Sequence, residues 1–372
     1  MPKIRVLIVD DSSVIRRLIT EALGADSSIE VAATAPNGKI ALEKIQQIRP
    51  DAVTLDVEMP VMDGLETLRQ LRKTHPRLPV IMFSTLTERG ATTTLDALSL
   101  GASDYVTKPS NTSKLEEGLL AIRQSLIPKI KALCGRREEA APRHLYPGPP
   151  KAALQRHLSP GPVKVLAIGV STGGPQALEK FIPHLPSDLA VPVVIVQHMP
   201  KIFTRLLAER LSAHSKIRVR ECVAGTALAP GQAWIAPGDF HMTVKKSSSG
   251  VLLETNQGPP ENSCRPAVDV LFRSVAQVYG NSTLAVILTG MGSDGLHGCE
   301  NIREAGGRIF VQDEATSVVW GMPGAVANAG LADKIIPLEE ISGEVSRCIE
   351  VSRGSSVVSP NGREGKESQA VR

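Results

Sequence analysis

Residues 165–175, VLAIGVSTGGP, read as a buried strand, a tight turn and the first turn of a helix. Six consecutive uncharged residues suit a strand covered on both faces, as in a parallel sheet whose crossovers are helices. Gly173 and Gly174 permit a sharp reversal, and Pro175 fits a first helical turn, where its missing N–H costs nothing. The same alternation continues with AVPVVIVQ, IRVRE, TLAVILTG and GGRIFVQ as strands, between helices such as FTRLLAERLSAH and RPAVDVLFRSVAQVYG. QAWIAPGDFHMTVKKSSSGVLLET reads as a small antiparallel insert with SSSG as its turn. Upstream, IRVLIV precedes a helix from about Ser13, DAVTL one from about Asp63, and LPVIMF one from about Glu88. The fold class that follows is α/β, with two doubly wound, mostly parallel units. Ligands of such sheets gather at the carboxyl ends of the strands.

The chain of 372 residues is long enough for two cores. Between the units, residues 135–162 hold six prolines and three glycines without periodicity, the pattern of a flexible linker. Residues 353–372 have few large apolar groups and read as a disordered tail. The expected division is therefore 1–125, a helix end and linker over 126–162, a second domain over 163–352, and the tail. Linker and tail carry net charges of +3 and +2, which leaves the rest at −1 out of the total +4. No basic footprint for nucleic acid remains. The five cysteines lie far apart without a C-x-x-C pair, which suits a reducing compartment and argues against a zinc site. The apolar run LAVPVVIV, eight residues, falls short of the ~18 needed to span a bilayer. A cytoplasmic protein, without membrane insertion and monomeric, is expected.

In the first unit, acids stand at strand ends: Asp10 and Asp11 after IRVLIV, and Asp56 after DAVTL. Carboxylates converging there repel one another, and a hard cation relieves this. Asp10, Asp11, Asp56 and the backbone carbonyl of Glu58 are the candidate Mg²⁺ ligands. Lys108 of DYVTKPS would pair with a phosphoryl oxygen, and Ser84 or Thr85 would hydrogen-bond another. VDD, LDVEMPVMDG, ST and TKP, in this order and spacing, resemble a response-regulator receiver, a flavodoxin-like domain. The resemblance implies that Asp56 accepts a phosphoryl group from a histidine kinase. It also implies that Tyr105 is the aromatic that changes rotamer as Ser84 or Thr85 moves.

In the second unit, Gly169-Val-Ser171-Thr-Gly173 fits the G-x-S-x-G elbow that presents a nucleophilic hydroxyl. A helix starting at Gly174-Pro175 would aim its positive end at that turn. The base should lie on the same sheet edge, and His198, at the end of AVPVVIVQ, does. His241 and His297 compete on composition, while His144 and His157 fall in the linker. Asp294, after TLAVILTG, is placed to hold the imidazole. The order Ser…His…Asp differs from the Ser…Asp…His of α/β-hydrolases. The loop Gly290-Met-Gly292-Ser-Asp-Gly295 also spells the dinucleotide pattern G-x-G-x-x-G, with Asp313 eighteen residues on as a ribose ligand. Against that reading, Asp294 would compete with a pyrophosphate for the helix N–H groups. A scaffold with a dead hydrolase fold would have no use for all three triad members.

IGVSTGGP, VQHMP, PGDFHM, SCRPAVDVLFRS, LTGMGSDG and GMPGAV resemble the catalytic domain of the chemotaxis protein-glutamate methylesterases, the CheB family. Val170 departs from it, since the family often has Ala there. The resemblance implies Ser171 as nucleophile, His198 as base and Asp294 as the orienting acid. Met291 would lend a backbone N–H to the oxyanion, and Thr172 would help place His198. It further implies a phosphorylation-activated hydrolase that demethylates glutamate esters on methyl-accepting chemoreceptors, deamidates receptor glutamines, and is phosphorylated by the chemotaxis histidine kinase. No cofactor is expected for catalysis.

Overall fold

Strands with no exposed face need helices on both sides, and the chain supplies them twice. The computed structural model describes residues 2–108, 115–135 and 161–354. The linker and the tail lie, apart from their edges, outside the described residues, as do His144 and His157.

The first unit runs β1 (Ile4–Val9), α1 (Ser13–Gly24), β2 (Ile29–Ala35), α2 (Gly38–Ile48), β3 (Ala52–Asp56), α3 (Gly64–Thr74), β4 (Val80–Ser84), α4 (Glu88–Ser99), β5 (Asp104–Thr107) and α5 (Leu115–Cys134). Its sheet is parallel throughout, in the order β2-β1-β3-β4-β5. The helix starts are set by side-chain caps: Ser12, Asn37, Asp63 and Thr87 each accept from an N–H three residues on. β2 and α2 escaped the sequence reading. IEVAATA is an edge strand of small, half-buried residues, without the apolar run that marks β1, β3 and β4.

The second unit runs β6 (Val165–Val170), α6 (Gly174–Phe181), β7 (Val193–Gln197), α7 (Lys201–His214), β8 (Arg218–Glu221), β9 (Gln232–Ile235), β10 (His241–Ser247), β11 (Gly250–Asn256) and α8 (Val268–Tyr279). It continues with β12 (Thr283–Ile287), α9 (Leu296–Glu304), β13 (Arg308–Gln312), α10 (Met322–Asn328), β14 (Lys334–Ile336) and α11 (Leu338–Gly354). Seven parallel strands follow the order β14-β13-β12-β6-β7-β9-β8. The antiparallel insert is smaller than its sequence suggested. QAWI joins the main sheet as β9, beside β7 and β8, and only β10 and β11 form the hairpin around Ser248-Ser249. The strand order places β6, β7 and β12 side by side at the centre, so the loops after them share one edge.

The two units meet across α4 and β5 on one side and α6 and α7 on the other. Tyr105 stacks on Phe203, with ring centroids 4.5 Å apart. Arg210 binds Asp96 at 2.5 Å and Glu179 at 2.6 Å, and Arg205 binds Glu88 at 2.7 Å. Deeper in, the Thr172 hydroxyl donates to Asp104 Oδ2 at 2.8 Å, and Lys129 Nζ reaches the same oxygen at 2.8 Å. Asp104 and Thr172 are both buried. Exposed ion pairs add little net stability, so the aromatic stack and the buried Asp104 contact carry more of this interface. No helix among the described residues is long and apolar enough to cross a membrane.

Candidate active site

Ser171 follows the last residue of β6 in a turn pinned from three directions. Its N–H donates to Thr289 O at 3.0 Å, and its carbonyl accepts from Gly174 N at 2.8 Å and Gln197 Nε2 at 3.0 Å. The turn requires Gly173, which caps α6 at φ +78°, where a Cβ would strike Val318 at 2.6 Å. Gly174 is as constrained: a Cβ there would lie 1.9 Å from Gln197 Oε1. Gln197 is buried, and its amide also donates to His198 O at 3.3 Å, so it ties the Ser171 turn to the end of β7.

His198 thereby faces Ser171. Its Nδ1 lies 3.1 Å from Ser171 Oγ and its Nε2 2.7 Å from Asp294 Oδ2. The two ring nitrogens exchange the places they hold in the usual serine triad, where Nε2 faces the serine. His241 and His297 do not approach Ser171. His241 is buried, with Nε2 on Pro259 O and Nδ1 accepting from Ala267 N, and His297 pairs with Glu300 on the surface.

Asp294 accepts more than the ring. Oδ2 also takes the Val268 N–H at 2.6 Å, while Oδ1 takes Asp269 N at 3.1 Å, Gly295 N at 3.0 Å and Asn262 Nδ2 at 2.8 Å. Val268 and Asp269 open α8, so Asp294 supplies a cap that α8 lacks from its own chain neighbours, at the helix's positive end. Burial works against charge on Asp294, but His198 and these N–H groups prevail and lower its pKa. Burial likewise opposes charge on His198; Asp294 and then Cys264 outweigh it and raise the ring to about 9. An ionised Asp294 thus favours the cationic form of His198. The raised pKa means that the stabilisation from His198 is complete below pH about 6.5 and is lost as pH climbs through about 9, while the lowered pKa of Asp294 means that its share is lost as pH falls below the ordinary carboxylate range.

Met291 lies on the loop that crosses Ser171. Gly290 donates to Val319 O and accepts from Gly321 N and Met322 N, and a Cβ on Gly290 would come within 2.9 Å of Ser171 Cβ. The dinucleotide reading of this loop fails on occupancy. Asp294 sits inside it, Asp269 Oδ1 accepts from Gly298 N in the first turn of α9, and Asp313 caps its own turn at Thr316. Thr172 does not reach His198; its hydroxyl is spent on Asp104.

In the first unit, Asp10, Asp11 and Asp56 bring carboxylate oxygens within 4.8 Å of one another. Lys108 Nζ binds Asp10 at 2.9 Å and Asp56 at 2.8 Å. Burial, only partly offset by Lys108 and reinforced by Asp10, still raises the Asp56 carboxyl to about 6. An all-oxygen, surplus-negative donor set of this kind fits a hard divalent cation. Glu58 sits two residues past Asp56 with its side chain turned to Arg89 at 3.3 Å. Ser84 is buried, its hydroxyl donating to Gly90 O at 3.1 Å, whereas Thr85 is exposed beside Thr87. Tyr105 is buried against Phe203.

Four residues that touch the site carried no signal of their own in the sequence: Gln197, Asn262, Cys264 and Asp269. Cys264 Sγ lies 3.5 Å from His198 Nδ1. Three of the four lie in or beside SCRPAVDVLF, whose length hinted at a role but whose spacing from Asp294 gave none.

Asp294→Asn should lower the His198 pKa clearly below 9, since of the two groups that outweigh burial only Cys264 would remain. Titration of the imidazole Cε1–H resonance measures this; a ring still titrating near 9 would contradict the charge assignment.

Known families match both units of the chain. The response regulator receiver domain family matches residues 6–120, and the CheB methylesterase family matches residues 166–345. The protein-glutamate methylesterase/protein-glutamine glutaminase of Trichodesmium erythraeum (strain IMS101) is 54% identical over 351 residues, 94% of this chain and 100% of its own. The protein of the same name from Nocardioides sp. (strain ATCC BAA-499 / JS614) is 51% identical, covering 96% of this chain and 98% of its own. The crystal structure of the Thermotoga maritima CheB methylesterase catalytic domain is 41% identical, covers 51% of this chain and 98% of that one, and superposes with a TM-score of 0.49. Likeness of this degree along nearly the whole length places the chain in the protein-glutamate methylesterase/protein-glutamine glutaminase family, with a receiver domain ahead of a CheB methylesterase domain.

Proposed function

We propose that the chain is a phosphorylation-activated serine hydrolase that removes methyl groups from glutamate γ-esters on methyl-accepting chemoreceptors and deamidates receptor glutamines, acting in the cytoplasm as a monomer. The observation that carries this reading is the continuous contact from Ser171 Oγ through His198 to Asp294 at 3.1 and 2.7 Å.

Ser171 Oγ attacks the γ-carbonyl while His198 Nδ1 takes its proton, and Asp294 holds the resulting cation. The oxyanion falls to backbone donors, with the Met291 N–H as candidate, each worth about 3–4 kcal/mol in such sites. His198 then gives its proton to departing methanol, or to ammonia when the substrate is glutamine. A water that gives a proton to the same nitrogen then attacks the acyl carbon, and that proton passes to Ser171 Oγ as its bond to the acyl group breaks, releasing the free glutamate.

Control belongs to the receiver. Asp56 accepts the phosphoryl group from a histidine kinase. Asp10, Asp11, Asp56 and the Glu58 carbonyl would hold Mg²⁺, which offsets charge on the transferring group. Lys108 leaves its two carboxylates to pair with a phosphoryl oxygen, and Ser84 or Thr85 turns toward another. Tyr105 and Asp104 lie on the strand hydrogen-bonded to that switch, and they are the residues that press on Phe203 and Thr172. Phosphorylation therefore shifts the population away from the docked arrangement, in which the receiver sits beside the nucleophile turn.

With a methyl-labelled receptor fragment as substrate, Ser171→Ala should cut methanol release by roughly 10⁴–10⁶-fold while urea unfolding is unchanged; retained release would exclude the triad. Asp56→Asn should keep basal release and abolish the increase brought by a small-molecule phosphodonor. An undiminished response in that variant would exclude receiver control through Asp56.

A further inference from the structure

The carboxylate that orients His198 has a second acid close beside it. Asp269 is fully buried, and its Oδ2 and Asp294 Oδ1 accept from the same atom, Asn262 Nδ2, each at 2.8 Å. The two oxygens are therefore no more than about twice that distance apart. Two buried carboxylates so placed ordinarily capture a proton between them, because neither neutral water nor distance relieves their repulsion. A captured proton would withdraw charge from Asp294, the charge His198 depends on.

An amide nitrogen carries two hydrogens and no acceptor. Pointed at both acids, it donates one hydrogen to each facing oxygen, which favours the charged form of both and occupies the space between them where a proton would bind. The backbone delivers it with little slack. Asn262 and Ser263 are both left-handed, at φ +52° and +61°, and Glu261 and Cys264 exchange both backbone hydrogen bonds across them. This is the pattern of a two-residue type I′ turn, which favours Asn at its first central position. The other charged or titratable groups facing the pair are His198 and Cys264 on one side, the Glu261–Arg273 ion pair on the second, and His297 and the buried Cys299 of α9 beyond Asp269. The remaining oxygens are held as well, Asp269 Oδ1 by Gly298 N and Asp294 by the start of α8.

We propose that Asn262 is a positioning residue that keeps a proton from bridging Asp269 and Asp294, and so holds Asp294 fully charged toward His198. This rests on the assignment of Asp294 as partner of the catalytic base. Burial, with the Asp294 charge adding to it, raises the Asp269 pKa even with Asn262 in place, so Asp269 is the member of the pair that a proton would favour.

The test uses the full-length chain and the variants Asn262→Gly, Asn262→Gly/Asp269→Asn and Ser171→Ala. Glycine accepts the left-handed turn at least as well as asparagine, so a conformational role would survive the first change. Compared above pH about 9, where the ring is neutral in both proteins, Asn262→Gly should lower kcat for methanol release by up to roughly tenfold with KM nearly unchanged, a fraction of the 10²–10⁴-fold that general-base catalysis supplies. It should also lower the His198 pKa, read from its imidazole resonance, by about one unit. Adding Asp269→Asn removes the second acid and should restore both. Wild-type titration of His198 in Asn262→Gly, or a loss that Asp269→Asn leaves uncorrected, would overturn the proposal. If Ser171→Ala retained activity, the triad itself would fall, while the His198 titration would still decide whether Asn262 guards Asp294.

Discussion

One carboxylate, that of Asp294, joins the parts of the catalytic domain that distinguish it from any other parallel α/β sheet. It binds His198 after β7, it caps α8, and it closes the turn into α9. Those segments are far apart in sequence and have no reason to meet except at the edge where the central strands end. A buried charge is costly unless every lone pair is used. Asp294 uses its lone pairs on four donors besides His198, and this lets it remain ionised in a site shielded from water. The glycines of its loop follow from the same need: Gly292 and Gly295 take left-handed conformations that allow so short a turn between strand and helix.

The receiver meets this site beside Ser171. Thr172, next to Ser171, spends its hydroxyl on Asp104, and Asp104 precedes the aromatic that stacks on Phe203. The charged cluster at Asp10, Asp56 and Lys108 lies at the ends of strands in the same sheet as β5. A change in hydrogen bonding at Ser84 is thus one strand away from the contact with the catalytic domain. Two domains with strand-end chemistry are coupled because a strand adjoining one site supplies contacts to the other.

Most of the architecture was legible in the sequence because buried parallel strands leave an unbroken apolar run. β1, β4, β6, β7, β12 and β13 all show one, and β3 is uncharged until its final Asp56. β2 and β14 are edge strands with exposed or small residues, and β9 is four residues long and was absorbed into the neighbouring hairpin. The core of the candidate site was legible for a related reason: Ser171, His198 and Asp294 each follow such a run, and sheet topology puts run ends together. Asn262, Cys264 and Asp269 precede or open a helix that reaches the site sideways, so strand logic does not find them. Thr172 shows the opposite limit, since adjacency to Ser171 suggested a role toward His198 while its partner lies 68 residues upstream in another domain.

The central claim is that Ser171 forms a covalent intermediate with a receptor glutamate. A short methylated receptor peptide, mixed in stoichiometric amount with the full chain and quenched in acid within a single turnover, tests it by mass spectrometry of the digested protein. The account predicts a transient mass increase, equal to the peptide less methanol, on the fragment that contains Ser171. Methanol release without that adduct at any time point, or an adduct on another residue, would contradict it.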